Sequence, residues 1–376
     1  MLLVANWESN VGYAWWLMES FWIEIAKHLA SRNMQSLLIY PEITKIPETI
    51  TNSGITVAKH RFQDKTLTGL RNLHKLIKRY NIKHIYLTDS PTYSLMYLIL
   101  RLWGINTITI HEHTPGERTP PGKLLKFIKK AIHRTPLITA NRYIAVSEYI
   151  FDRFINISCI PFHKCRCASN GIIPFELKGL NQYYAHQLFG IPKEKVIVVT
   201  TGRATYYKKI DFFIKCANEL VNIRSMNNFH FVYCGDGPNL EDFKNMVYIF
   251  KLNKNFTFAG RRNDIRQILP SCHIGLHTSA GEVGYSLSIL EYMSANLLTI
   301  VPDNPSVSLA TTNNVTGLLY KENDILDCAD KISLFNASNE ISTIRKNGQD
   351  SISSQFNLKN THVQLVKHFD ETYINS

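Results

Sequence analysis

The chain has 376 residues, of which 45% are apolar and 19% charged, and a formal net charge of +12. This composition excludes a disordered polymer and a membrane-spanning bundle, and the length exceeds what one hydrophobic core fills, so two domains are expected. Residues 1–180 carry 23 Lys and Arg against 12 Asp and Glu, and the remainder 19 against 18, so a membrane or polyanion would meet the first half.

The apolar start, Met1 to Asn6, has neither a basic lead nor a small-residue cleavage site and reads as lacking a secretory leader. Leu95 to Leu100 is the longest apolar stretch and is stopped by Arg101, well short of the roughly 20 residues a spanning helix needs. Seven cysteines, odd in number and scattered, fit a reducing compartment. The expected location is cytoplasmic, with peripheral attachment to the inner face of the cytoplasmic membrane as a further option.

In chain order, Leu2–Ala5 reads as a buried strand, followed by a helix from Tyr13 to about Ala30 and a strand at Ser36–Tyr40. Further strands are predicted at Ile55–Ala58, His84–Thr88, Thr107–Ile110 and Tyr143–Val146. Helices are expected at Leu67–Tyr80, Ser94–Trp103, Lys123–His133 and Glu148–Ile155. Short buried strands joined by helices imply a parallel sheet covered on both faces. Between Pro174 and Pro192 the pattern breaks around a polar helix-like piece, Leu180–Leu188, and the domain boundary is placed there.

A second alternation follows, with strands at Val196–Thr201, Phe229–Cys234, Phe256–Ala259, Ile274–His277 and Leu298–Val301. Helices are predicted at Asp211–Val221, Asn239–Phe250 and Ser286–Ser294, and a last one from about Leu358 to Tyr373. The predicted class is α/β with two doubly wound domains, 1–175 and 176–357, and a final helix, 358–376, returning to the first. Doubly wound sheets bind ligands at the carboxyl ends of their strands, so the expected site is a cleft between the two halves.

Candidate site residues lie at those strand ends. Thr201-Gly202-Arg203 followed by Lys208 offers a sharp glycine turn with a cation on each side, suited to phosphate oxygens. Gly235 and Gly237 before Pro238 and Asn239 allow an anion near a helix N-terminus. Glu282-Val283-Gly284-Tyr285-Ser286 leads into a third helix, with Ser286 as N-cap and backbone donors from Gly284 to Leu287. Glu291, one to two turns in, either accepts a diol or is an exposed or salt-bridged helix carboxylate.

In this order, Gly-Arg…Lys-x-x-Asp, Gly-Asp-Gly-Pro, Phe258-Ala259-Gly260 and Glu-x-Gly-Tyr-Ser-x-x-x-Leu-Glu-x-Met resemble the retaining glycosyltransferases of family 4, which have the two-domain GT-B fold. Val146-Ser147-Glu148 and Asn170-Gly171-Ile172 resemble that family's end of the first domain. The resemblance implies that Arg203 and Lys208 neutralise a donor diphosphate and that Glu291 holds its ribose. It further implies that Glu282 contacts the donor sugar, that Gly284, Tyr285 and Ser286 offer backbone groups, and that Arg261 in the Gly260-Arg261-Arg262 turn lies near the base. Gly12 would lie against the phosphates, and His111, with His113 as the competing candidate, beside the transferring sugar.

Three positions depart from the pattern. Eight residues, not seven, separate Glu282 from Glu291, so either the loop bulges or Val283 takes the glutamate position. Lys209 and Asn296 stand where glycines are usual.

The expected reaction is metal-independent hexosyl transfer from a nucleoside-diphosphate sugar to a glycan or lipid-linked acceptor in cell-surface polysaccharide, lipopolysaccharide or glycolipid biosynthesis, with no cofactor. The rivals are a sugar-nucleotide epimerase or hydrolase on the same fold and a non-catalytic polyanion binder. No nucleic-acid partner is expected. His-x-His at 111–113 and His163 with Cys165 and Cys167 have too few partners for a zinc site. Lys208→Ala is expected to lower transfer by orders of magnitude and leave the thermal melt nearly unchanged. Finally, Lys123–Arg134 interleaves bases with Leu124, Leu125, Phe127, Ile128 and Ile132. It is either a surface helix packing an apolar stripe on the sheet or a helix resting on an anionic membrane.

Overall fold

The structure, a computed structural model, describes residues 1–12, 15–336 and 340–373. The chain divides into two compact units: Met1–Thr114 with Arg118–Asn170 and Lys359–Ser376, and Pro115–Glu117 with Gly171–Leu358.

The first unit alternates strand and helix as β1 (Leu2–Val4), α1 (Trp15–Ala30), β2 (Leu37–Tyr40), α2 (Glu48–Asn52), β3 (Thr56–Lys59), α3 (Leu67–Arg79), β4 (His84–Thr88) and α4 (Leu95–Leu102). It continues with β5 (Thr107–Glu112), α5 (Lys123–His133), β6 (Arg142–Ala145), α6 (Glu148–Asp152) and β7 (Cys165–Cys167). All seven strands pair in parallel, in the order β3-β2-β1-β4-β5-β6-β7. The predicted helix start at Tyr13 lies outside the described residues.

In the second unit come α7 (Tyr184–Phe189), β8 (Val196–Thr201), α8 (Ile210–Asn218), β9 (Phe229–Cys234), α9 (Leu240–Ile249), β10 (Phe256–Phe258), α10 (Ile265–Ile268) and β11 (Ile274–Leu276). Then follow α11 (Leu287–Ser294), β12 (Leu298–Pro302), β13 (Leu318–Tyr320), α12 (Ile325–Ser333) and α13 (Ile341–Ser354). The six strands are again parallel, ordered β10-β9-β8-β11-β12-β13. In β8, Val196 and Val198 face the layer of Phe213, Phe231 and Phe256, while Ile197 and Val199 face the layer of Val232 and Tyr292. Both faces are covered, which is why these strands are continuously apolar rather than alternating.

The last helix, α14 (Leu358–Tyr373), packs on the first unit. Phe369 meets the Tyr86 ring at 5.7 Å, Asp370 pairs with His28 and Arg32 at 2.6 and 3.0 Å, and Thr361 donates to the Ser169 carbonyl at 2.7 Å.

Several expectations need correcting. Strand β5 runs on through His111 and Glu112 because both pair in register with β6. Helices α6 and α8 end early in π turns, Arg153–Ile157 and Glu219–Ile223. Strands β7 and β13, and helices α2 and α10, were not anticipated; helices were expected to end the chain, but bounds were given only for the last, so α12 and α13 are located here. The sheet-packing reading of α5 fails. Leu124, Leu125, Phe127 and Ile128 are 75, 48, 70 and 44% exposed, and the helix is held at its other side by buried His133, half-buried Ile132, and Lys129 donating to the Ile157 carbonyl at 2.8 Å.

Candidate donor site in the second unit

The strand order of the second sheet reverses between β8 and β11, so the loops leaving their carboxyl ends diverge and open a crevice there. The β8 loop contains Gly202, Arg203 and Lys208; the β11 loop contains His277 to Ser286.

Gly202, with φ +153°, turns the chain off β8, and the loop leaving β9 packs directly on it. A Cβ on Gly235 would lie 1.9 Å from the Gly202 carbonyl oxygen, and one on Gly237 would lie 2.7 Å from that of Ala204. Both turns are therefore closed to side chains. They are joined by the Ala204 N–H to the Asp236 carbonyl at 2.9 Å and by the Tyr233 hydroxyl to the Gly202 carbonyl at 2.8 Å. Arg203 is exposed at the outside of this double turn, and among the described residues its guanidinium has no hydrogen bond or ion pair.

Lys208 lies five residues beyond Arg203, at the end of a short 3-10 turn. Its Nζ donates to Glu282 Oε1, an ion pair in which the side chains are 28 and 11% exposed. The Ser279 hydroxyl donates to the same oxygen at 3.2 Å, and buried His277 Nε2 lies 3.8 Å away. Burial alone would raise the Glu282 pKa, but Lys208 and His277 outweigh it and hold the carboxyl below its ordinary value. His277 is driven down to about 4, mainly by burial, so its ring is neutral near pH 7. The two loops are also tied by the Thr278 hydroxyl to the Lys208 carbonyl at 2.8 Å and by the Tyr207 hydroxyl to the Gly281 carbonyl at 2.6 Å.

Of the two candidates for the carboxylate position, Glu282 is the residue aimed at Lys208. Gly281 and Gly284, with φ +76° and +106°, bracket Glu282 and Val283 and let the longer loop fold. Ser306 holds both glycines: its hydroxyl accepts from the Gly281 N–H at 2.6 Å, and its carbonyl from that of Gly284 at 2.8 Å. Lys209 adopts φ +51° and Asn296 +59°, the left-handed geometry that explains glycine as the usual residue at each.

Ser286 is the N-cap of α11, yet its side chain makes no cap bond. Its hydroxyl instead lies 3.4 Å from His277 Nδ1, which leaves the first-turn N–H groups of α11 open to an anion. The Tyr285 ring is buried against Phe356 at 5.3 Å, so only its backbone is offered to a ligand.

Glu291 is half-buried on α11 and, among the described residues, its carboxylate has neither an ion pair nor a hydrogen bond. The exposed or salt-bridged reading of this carboxylate therefore fails. Burial pushes its pKa up to about 7, against the pull of Arg266. Next to it, fully buried Tyr292 accepts from the Thr201 N–H at 2.7 Å and fixes the end of β8; Gly275 makes room, since a Cβ there would lie 2.4 Å from the Tyr292 ring. Arg261 is exposed on its turn, which is held by Arg262 bound to Asp264 through two bonds of 2.8 and 2.6 Å.

In the first unit, Gly12 has φ +76° in the loop between β1 and α1. His111 is 0% exposed, hydrogen-bonded through Nδ1 to the Tyr86 hydroxyl at 2.5 Å, with its ring 5.2 Å from Phe21 and 4.3 Å from His113. The expectation delivered it to the cleft edge at the carboxyl end of β5; its ring lies in the layer between the sheet and α1. Burial drives His113 down to about 3, and its backbone N–H donates at 2.5 Å to Asp89, whose carboxyl burial raises to about 7.

His277, Ser279, Ser306 and Tyr292 were not anticipated. A histidine and a serine at the end of a buried strand, just before a Gly-Glu loop, were the legible signal. Among the described residues no group of three or more His, Cys, Asp or Glu side chains is placed to share a metal.

Comparison with known proteins supplies the family. The model of Glycosyltransferase Family 4 matches residues 18–174, and that of Glycosyl transferases group 1 matches residues 185–350. The chain is 23% identical over 336 residues to the N,N'-diacetylbacillosaminyl-diphospho-undecaprenol alpha-1,3-N-acetylgalactosaminyltransferase of Campylobacter jejuni, covering 84% of this chain and 85% of that protein. Its fold matches a glycosyltransferase from Rickettsia africae with a TM-score of 0.80, at 16% identity over 100% of this chain and 98% of the other. It also matches Anabaena HepE, solved with UDP and glucose, with a TM-score of 0.76, at 17% identity over 98 and 99%. The chain therefore belongs to the group 1, family 4 glycosyltransferases and is a transferase of the GT-B class.

Proposed function

We propose that this glycosyltransferase moves a sugar, with retention at the anomeric carbon and without a metal, from a nucleoside-diphosphate sugar to a glycan or lipid-linked acceptor in surface-glycan assembly. The observation that carries the reading is the Lys208–Glu282 pair at the switch point of the second sheet, beside open N–H groups of α11 and an unpartnered Glu291.

In this reading the diphosphate lies against Arg203, Lys208 and the first turn of α11. Negative charge grows on the diphosphate as the glycosidic C–O bond breaks, and two cations with aligned dipoles stabilise it more than they stabilise the ground state. These cations take the place of a divalent ion. Glu282 keeps Lys208 in position and faces the sugar, while Glu291 accepts the ribose hydroxyls. His111, buried and neutral, serves as a wall of the first unit's interior rather than as a proton carrier. UDP bound to a protein of like fold favours a uridine donor, and the Campylobacter relative's diphospho-undecaprenol acceptor favours a lipid-linked one.

A lipid-linked acceptor agrees with α5. At about 100° per residue, Phe127, Ala131, Leu124 and Ile128 share one arc, and Lys123, Lys126 and Lys130 lie beside it. With the apolar arc exposed and the bases flanking it, α5 is read as an in-plane helix on an anionic bilayer. Among the described residues no helix is long and apolar enough to cross a membrane.

The test is a thermal-shift screen of nucleotide sugars, followed by transfer to a prenyl-diphosphate sugar with and without EDTA and NMR of the product anomer. An inverted product, or activity abolished by EDTA and restored by a divalent ion, overturns the corresponding part of the proposal. Release of free sugar or an epimer in place of transfer overturns the whole.

A further inference from the structure

In the first unit, at the end of α5, lies a cavity of about 300 Å³ whose polar lining is Arg101, Asn141, Arg142, His163 and Lys164, with Leu137 at its rim. No carboxylate lines it. Arg101 projects from the last turn of α4 and spends its terminal nitrogens on the Asn106 carbonyl at 3.2 Å, the Thr139 carbonyl at 2.9 Å and Asn141 Oδ1 at 3.0 Å. Its Nε is buried with no acceptor. Lys164 reaches the Thr139 hydroxyl and the carbonyl of His133, the last residue of α5, both at 3.3 Å. Arg142 donates to the His163 carbonyl at 3.1 Å.

Three cations are thus gathered around one small cavity and held there by uncharged main-chain and side-chain oxygens. The repulsion is felt: Lys164 is pushed below its ordinary pKa by burial first and then by Arg101 and Arg142, and His133 is driven to about 4 by burial and then by Lys164. Like charges held together in partly desolvated surroundings raise the free energy of the empty site, and an anion lowers it again. Guanidinium groups and an ammonium suit a phosphate, which can accept from several donors at once. The volume suits a headgroup rather than an extended chain.

We infer that the Arg101–Arg142–Lys164 cavity is a phosphate site, and that its occupant is the headgroup phosphate of the anionic lipid on which α5 rests. The inference builds on the membrane reading of α5, to whose C-terminal carbonyl Lys164 is bonded. Apolar side chains would then fix depth, and the cavity would select for phosphate-bearing lipid and fix rotation of the helix on the surface.

Melting temperatures are measured in phosphate and in chloride at equal ionic strength for the wild type, Lys208→Ala, Arg142→Gln/Lys164→Gln, and Leu137→Glu. The last places an acid at an exposed rim position, where folding tolerates it. Phosphate is expected to raise the wild-type and Lys208→Ala melts by a few degrees and to have no effect on the double variant or Leu137→Glu. A rise lost in Lys208→Ala but kept in the two cavity variants assigns the phosphate to the donor site and overturns the inference.

Binding to phosphatidylcholine vesicles containing phosphatidylglycerol separates the two sources of phosphate. Several-fold weaker binding of the cavity variants, with glycerol 1-phosphate competing for the wild type, supports the lipid headgroup. Cavity variants that lose the phosphate response yet bind vesicles like the wild type overturn the lipid assignment in favour of a soluble phosphate. Leu124→Ser/Phe127→Ser should keep the phosphate response while losing vesicle binding, so failure of the helix reading is distinguishable from failure of the cavity.

Discussion

Lys208 and Glu282 stand 74 positions apart in the chain and form one ion pair, joining the loops that leave β8 and β11. The pair makes Lys208 both a functional cation and a structural one, and this changes what its removal should do. Lys208→Ala leaves a buried carboxylate without its cation, at a cost of about 1–3 kcal/mol. The melt should fall by several degrees, contrary to the expectation from sequence that it would hold. Lys208→Ala/Glu282→Gln should recover most of that loss. Transfer should remain down by at least about 100-fold in both, because neither restores the Lys208 cation to the leaving diphosphate. A double variant that regained activity together with stability would reduce Lys208 to a structural role.

Arg203 provides the contrast. It is exposed, and none of its side-chain nitrogens is engaged among the described residues. Arg203→Ala should therefore change stability by less than about 0.5 kcal/mol. In steady-state assays kcat should fall by about 100-fold, with a smaller change in KM, because the guanidinium acts on charge that develops only as the bond breaks. Equal rates for variant and wild type would remove Arg203 from the site.

Glu291 has a pH signature. Its folded pKa, about 7, lies above the ordinary 4.5 because burial penalises the carboxylate. For such a raised group the stabilising contribution is complete below about pH 4.5 and is lost as pH climbs through 7. Glu291→Gln should therefore gain stability relative to wild type at pH 8 and little at pH 5, as read by chemical denaturation. If ribose hydroxyls donate to the ionised carboxylate, nucleoside diphosphate binding near pH 7 should release a fraction of a proton. Calorimetry in buffers of different ionisation enthalpy measures this release, and Glu291→Gln should bind more weakly and release none.

Much of this was legible because strands β4, β8 and β9 are mostly apolar runs ending in glycine or polar punctuation, and their predicted bounds match the structure. Strands β7 and β13 were not legible. Cys165-Arg166-Cys167 and Leu318-Leu319-Tyr320 are three-residue edge strands, too short for any period to register. In the site, glycines and paired glutamates marked the loops in sequence. The contact between Lys208 and Glu282 depends on two loops brought together only by the sheet order, and local pattern does not encode it. The end of β5 was not legible for the same reason: pairing with β6, not its own neighbours, carries the strand past His111.

The outward-facing arc of α5 gives the last prediction. Leu124 and Phe127 are 75 and 70% exposed, so Leu124→Ser/Phe127→Ser should leave the melt within about 0.5 kcal/mol of wild type. On a membrane the same two side chains would each be worth about 1.5–3 kcal/mol when buried. Cosedimentation with anionic vesicles should therefore weaken by more than tenfold, while transfer to a water-soluble acceptor analogue stays unchanged. Lys123→Gln/Lys126→Gln/Lys130→Gln should weaken binding too, but mainly at low salt, since added ions screen the lysines and leave apolar insertion intact. Vesicle binding that survived the serine substitutions and vanished in salt would show α5 held by charge alone, and would leave the exposure of its apolar arc without a purpose on the bilayer.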